Sequence, residues 1–304
     1  MAGLQQLTVV GSAALDTIET PHGRAERILG GSVFYIGASG SLFSHVNIVG
    51  VVGDDFPFEK IEFLKQRNVS LTGLETMPGE TFFWEGVYHD NMNIRDTICT
   101  ELGVFEGFKP ELPIEAAAAR YLMLANIDPQ LQLDVLDQIK DPALVAFDTM
   151  NMWISIARDK VEEVISKVDV VILNEEEIGQ FTNLHNPIEG AEEILKMGPH
   201  YVVLKRGEYG AVLIGGDQAP FICPAFPLSN PIDPTGAGDT FAGAMMGYLA
   251  ATDDLSAMNM RLAVVYGNIT ASFAVEDFGL GRLEQLSDME IEQRFREFRE
   301  MVEF

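Results

Sequence analysis

The 304-residue chain is 47% hydrophobic and 22% charged, enough apolar content for a large buried core, and its 46 acidic residues against 20 basic ones leave a formal net charge of −26. That balance argues against a nucleic-acid partner, which needs a concentrated basic face, and no apolar run of about 18 residues is present to span a membrane. With Cys99 and Cys223 as its 2 cysteines, the chain has neither a disulfide framework nor a four-thiolate zinc site.

The start, MAGLQQLTVVGSAALD, lacks the basic residues and long apolar run of a secretory signal, so a cytoplasmic location is expected. Leu7–Gly11 is the first strand candidate, and Gly30–Gly40 reads as a helix entered through a Gly-Gly turn. Val46–Val52, Tyr121–Leu124, Leu144–Asp148, Val168–Leu173, Tyr201–Lys205 and Ala211–Ile214 follow as strands. Most are continuous apolar runs, the pattern of strands buried on both faces. Helical spacing appears between them at Leu131–Ile139, Val161–Ser166 and Gly190–Lys196. The alternation predicts an α/β fold, a mostly parallel sheet with helices on both faces. One stretch breaks the rhythm. Thr81–Phe105 alternates aromatic and β-branched residues with polar ones around Asp90-Asn91-Met92-Asn93, and predicts an antiparallel hairpin with one wet face. It serves either as a lid over a site or as an extra edge of the main sheet. Ser287–Phe304 reads as an amphipathic helix with Ile291, Phe295, Phe298 and Val302 inward.

Several motifs are missing. No Gly-Lys dipeptide exists to build a Walker A loop, no G-x-G-x-x-G is present, and no G-x-S-x-G or His-Glu zinc helix occurs. Asp277-Phe278-Gly279 spells a kinase metal triplet but has no catalytic loop upstream.

Chemistry concentrates in Ile232–Ala250, IDPTGAGDTFAGAMMGYLA. A Gly-rich turn feeding an apolar helix from Phe241 onward points backbone N–H groups at one spot, where the helix dipole favours an anion. Asp239 is either a first-turn capping acid or a general base beside that anion hole. The segment resembles the second signature of the ribokinase/PfkB family of carbohydrate and nucleoside kinases, D-T-x-G-A-G-D, with Pro234 in the second place of Asp233–Asp239. The first signature has a counterpart from Gly30-Gly31 to Gly53-Asp54-Asp55, and Asp16, Asn174–Glu177 and Lys205–Gly210 fall in the family's order.

The resemblance implies a ribokinase-like domain over residues 1–304, with the hairpin at about 80–106 as its lid. It also implies ATP and Mg²⁺ as cofactors and a lid-mediated homodimer. It assigns Asp239 as base and Gly236, Ala237 and Gly238 as the anion hole. Asn174 and Glu177 organise Mg²⁺ and the phosphates through water, while Lys205, Gly207, Gly210 and Asn268 lie by the nucleotide. Asp16, Gly30 and Gly31 hold the acceptor, and Asp233 and Thr235 are candidate ligands for a monovalent cation such as K⁺. Where many sugar kinases carry Asn after Gly-Gly, this chain has Tyr35, an aromatic wall in place of a hydroxyl contact. Phe83, Trp84 and Tyr88 extend that wall or simply pack, and Arg95 is too little charge to imply a phosphorylated acceptor. The leading reading is an ATP-dependent kinase of a small sugar or polyol. A nucleoside kinase, and a non-catalytic binding protein on the same fold, are the alternatives.

Overall fold

Hydrophobic runs that cannot alternate must be covered on both sides, and the sheet is built that way. A computed structural model describes residues 6–216 and 218–303. Its strands are β1 (Gln6–Val10), β2 (Ala14–Thr20), β3 (Gly23–Gly30), β4 (His45–Val52), β5 (Val69–Thr76), β6 (Phe82–Tyr88) and β7 (Arg95–Glu101). Then come β8 (Tyr121–Leu124), β9 (Leu144–Phe147), β10 (Val170–Asn174), β11 (Tyr201–Lys205), β12 (Ala211–Gly215) and β13 (Gln218–Cys223).

The large sheet runs β13-β12-β11-β10-β9-β8-β1-β4-β5, parallel from β5 to β11, with β12 and β13 antiparallel at one edge. Leu7, Val9, Met123, Ile172 and Val203 pack on one face under the helices Ser32–Gly40, Ala237–Thr252 and Ala257–Ala274. Val10, Leu124, Phe147, Val171 and Leu173 pack on the other, with Val161, Ile178 and Ile194 of the helices that cover it. Chain order reverses about β1, which lies between β4 and β8, and such a switch point opens a crevice at the carboxyl ends of the strands. No helix of the described residues is long and apolar enough to cross a membrane.

The helix after Gly-Gly begins at Ser32, because Gly31 at φ 83° is its N-cap and Gly30 closes β3. All nine of its residues are buried. It lies in backbone contact with Ala237–Thr252: a Cβ on Gly243 would stand 2.6 Å from Ile36 Cα, and one on Gly247 2.6 Å from the Gly40 carbonyl oxygen.

The expected hairpin exists as β6 and β7, but in neither expected setting alone. It joins β2 and β3 in a second sheet, ordered β3-β2-β6-β7, in which β2 and β6 are parallel and the other pairs antiparallel. Arg24 on β3 ties this sheet together, bonding Glu19 of β2 at 3.0 Å and Glu85 of β6 at 2.8 Å. The C-terminal helix spans Asp288–Val302 with Ile291 and Phe298 buried. Val302 is a correction: at the frayed last turn it is 41% exposed instead of inward. Phe304, where that expectation ended, lies outside the described residues.

Candidate active site

The helix Ala237–Thr252 starts four residues earlier than its apolar run suggested. Gly236 is its N-cap at φ 71°, in the left-handed region, and the Tyr35 ring packs where a Cβ would stand. Asp239 therefore occupies the third helical position instead of the cap, with Ala237 and Gly238 before it. The first-turn N–H groups of a helix have no helical partner, which is what an anion hole requires. Ala237 is a correction to the expected hole: its N–H donates to the Pro234 carbonyl at 3.2 Å, a turn that closes onto the helix start.

Carboxylates converge on this turn. Asp16 is the third residue of β2, just before a shift in its register with β3, and is 5% exposed. Its side chain fills the space that a Cβ on Gly30 would need. Burial, with Asp233 and Asp239 adding to it, pushes its carboxyl up to about 8, against a backbone N–H from Gly31. Burial also pushes half-buried Asp239 up to about 7; Asp148 adds to that rise, and Lys205 and Arg95 oppose it. Asp16, packed against Gly30 and bonded by Gly31, thus lies close enough to Asp239 for the two carboxyls to repel each other.

The carboxyl ends of β9, β10 and β11 supply the rest. Asn174 and Glu177 form a capping box, each backbone N–H donating to the other's side chain at 2.8 Å. Glu177 is 6% exposed, and burial raises its carboxyl although Lys205 opposes the rise. Lys205 Nζ lies 3.1 Å from Asp148 Oδ2. No motif marked Asp148. A buried acid closing a strand predicted to be apolar was the only signal available.

The residues expected beside a nucleotide take structural partners. Gly210 is packed against the Cys223 carbonyl, and Asn268 Nδ2 donates to the Pro224 carbonyl at 2.9 Å. Gly207 faces the lid, since a Cβ there would stand 2.8 Å from Asn93 Oδ1. Asp233 accepts the Thr235 N–H at 2.9 Å and the Gly279 N–H at 3.1 Å, while the Thr235 hydroxyl donates to Tyr88 Oη at 3.1 Å. Both oxygens of the Asp233 carboxylate are engaged, so these side chains act first as a brace between loop, helix and lid.

Register places Asp16 beside Trp84 and Tyr88 opposite Arg95, all on the lid face turned to the site. Trp84 lies across Gly86, its indole N–H reaches Thr97 Oγ1 at 3.3 Å, and Arg95 stands 5.7 Å over its ring. Phe83 points the other way, under Arg27. The lid aromatics thus divide: Trp84 and Tyr88 border the site and Phe83 does not. Tyr35 is 1% exposed and its hydroxyl has no partner among the described residues, an orphaned polar atom beside Asp16 and Asp233. Asn126 Oδ1 and Thr149 Oγ1, just past β8 and β9, are orphaned in the same way.

Known proteins share this sequence pattern and this fold. A cytidine kinase from Thermococcus kodakarensis is 31% identical over 247 residues, 79% of this chain and 87% of that protein. In fold, the Methanocaldococcus jannaschii nucleoside kinase matches with a TM-score of 0.77 at 20% identity, covering 98% of this chain and 100% of that one. Arabidopsis thaliana ribokinase, solved with ribose and ATP, matches at 0.77 and 19% identity over 96% and 99%. The pfkB family carbohydrate kinase profile spans residues 33–285, from the helix after Gly31 to the turn before the C-terminal helix. With the Gly-rich helix start, the opposed acids and the lid all inside or beside that span, the chain belongs to the pfkB family of carbohydrate kinases.

Proposed function

We propose that the protein transfers the γ-phosphoryl group of ATP to a hydroxyl of a small sugar, polyol or nucleoside, with Asp239 as general base. One observation carries the reading: Asp239, raised to about 7, faces the acceptor acid Asp16 from the first turn of a helix whose N–H groups await an anion. A base poised near neutral pH is the one that transfers protons best. The acceptor oxygen attacks the γ-phosphorus, its bond to the ADP oxygen breaks, and the hydroxyl proton goes to the Asp239 carboxylate. The N–H groups of Gly236 and Gly238 hold the phosphoryl charge in place, and the lid keeps water out.

Mg²⁺ fits the donor set as a hydrated ion. Among the described residues no three metal-binding side chains gather into a cage, and Mg²⁺ commonly keeps its waters while one or two carboxylates and the phosphates hold it. Glu177, buried just past the carboxyl end of β10, would hold those waters. When bound, the ion neutralises phosphate charge. Glu177→Gln keeps the capping box, because Gln serves there as well as Glu. The variant is therefore expected to fold normally and to need more Mg²⁺ for half-maximal rate. An unchanged Mg²⁺ titration would leave Glu177 as a cap only.

Mixing the enzyme with Mg·ATP and panels of sugars, polyols and nucleosides, with ADP release as readout, tests the whole reading. Release with none of them would favour a binding protein on this fold. A nucleoside acceptor has its own support. The Trp84 ring spread over Gly86 beside Asp16, with Tyr35 where a hydroxyl-binding Asn is usual, offers a planar base a surface to stack on.

The lid is also the surface we assign to a second copy of this chain. Strand β7 is an unpaired edge that leaves Ile98 60% exposed, with Ile94 before it 54% exposed, and such an edge invites pairing. Light scattering is expected to report a dimer, reduced to monomer by Ile98→Asp. A wild-type monomer at assay concentration would overturn this assignment.

A further inference from the structure

Asp148, just past β9, and Lys205, the last residue of β11, form a buried ion pair, with side chains 7% and 17% exposed. The ammonium is 3.1 Å from Oδ2 and 3.4 Å from Oδ1. Buried pairs of this kind are a weak source of stability, since apolar residues often replace them without loss. Placement explains this one better. A Cβ on Gly238 would lie 3.2 Å from Lys205 Nζ, so the ammonium rests against the second residue of the helix that forms the anion hole.

An ammonium has three donors, of which Asp148 takes at most two. At least one is left for an anion at the helix start. Lysine is a point charge on a flexible stem and does not aim itself. Asp148, in contrast, is fixed. Its Oδ1 accepts the Thr149 N–H at 2.9 Å, and its carbonyl accepts Gln132 Nε2 at 3.1 Å. Burial alone would lower the Lys205 ammonium, but Asp148, Glu177 and Asp239 together outweigh it and keep the group charged.

We propose that Asp148 is a positioning residue, which holds the Lys205 ammonium against the start of the helix Ala237–Thr252, where the phosphoryl group in transfer meets it. The proposal rests on the kinase reading above. Its experiment compares Asp148→Asn, Asp148→Ala, Lys205→Met and the double variant Asp148→Ala/Lys205→Met in the full chain, using whichever acceptor releases ADP. Lys205→Met is expected to lower kcat about 10²-fold, the scale of one lost transition-state donor. Asp148→Ala is expected to approach that loss, with KM for ATP within about threefold of wild type, because a group that acts in transfer changes turnover more than ground-state binding. Because Asp148 acts through Lys205, the double variant is expected to be no slower than Lys205→Met alone. Losses that multiply, or a kcat untouched by Asp148→Ala, overturn the proposal.

A second measurement guards against a variant that folds poorly. In protein labelled with ¹³C at lysine Cε, the Lys205 resonance is expected to titrate at lower pH in Asp148→Asn than in wild type. If wild type turns over an acceptor and that resonance does not move, the proposal fails alone. If wild type turns over none, the kinase reading fails first.

Discussion

Asp239→Asn is expected to lower kcat by about 10²–10⁴-fold, the span that a positioned general base supplies, while the melting temperature and ATP affinity stay near wild type. Asparagine has the same shape and sits at an exposed-enough third helical position to be accommodated. Losing a first-turn charge forfeits about 0.3–1 kcal/mol of dipole interaction. Relief of its repulsion with Asp148 offsets that loss. The pH profile gives the decisive sign. With its carboxyl pushed up to about 7, Asp239 is largely protonated and idle at pH 5. Wild-type kcat/KM should therefore climb with pH and reach half its plateau near 7, as the base sheds its proton. The variant should keep only a low, flat remnant. Turnover close to wild type in Asp239→Asn would falsify the assignment of the base.

Gly31→Ala is expected to damage both stability and acceptor binding. At φ 83° the new residue enters a backbone region that costs an L side chain about 1–3 kcal/mol. Its Cβ would stand 2.5 Å from the Ser12 carbonyl oxygen and 2.7 Å from Ala14 N, which are backbone atoms with no rotamer to escape into. Forced packing of that kind adds about 1–3 kcal/mol. Because Asp16 takes a backbone N–H from Gly31, a displaced turn also moves the acceptor acid, so KM for the acceptor should rise together with the loss of stability. Urea melts of Gly31→Ala and Gly107→Ala make the comparison. A Cβ on Gly107 meets nothing within 4 Å, so its midpoint should stay put. Equal midpoints for the two variants would show that the Gly-Gly turn is not constrained as described.

What the sequence revealed follows from where each strand lies. β1, β4 and β8 to β11 are covered on both faces, so their apolar runs are continuous and easily read. β3, GRAERILG, is mostly exposed. Its charges look like a loop until Arg24 is seen clamping Glu19 and Glu85 on neighbouring strands. β5 escaped for a related reason: it is the sheet's last strand and alternates imperfectly. The Asp233–Asp239 signature located the helix start because backbone geometry demands those small residues there. Asp148 and Arg95 carry no such local constraint. Their importance arises only when β9 meets β11 and the second sheet folds over the crevice.

The backbone contact between the helices Ser32–Gly40 and Ala237–Thr252 has a consequence for how such a protein can change its substrate. One helix follows Gly30-Gly31, and the other carries Asp239, the proposed base, in its first turn. With backbone against backbone at Gly247 and only the small Ser39 hydroxyl beside the contact at Gly243, the spacing works like the fixed jaw of a spanner, set mainly in backbone. The β2-β6-β7 surface is the other jaw, and its Trp84 and Arg95 can be exchanged without touching the gauge. New acceptor shapes are therefore reached by refitting one jaw, while the distance over which the proton travels stays as it was machined.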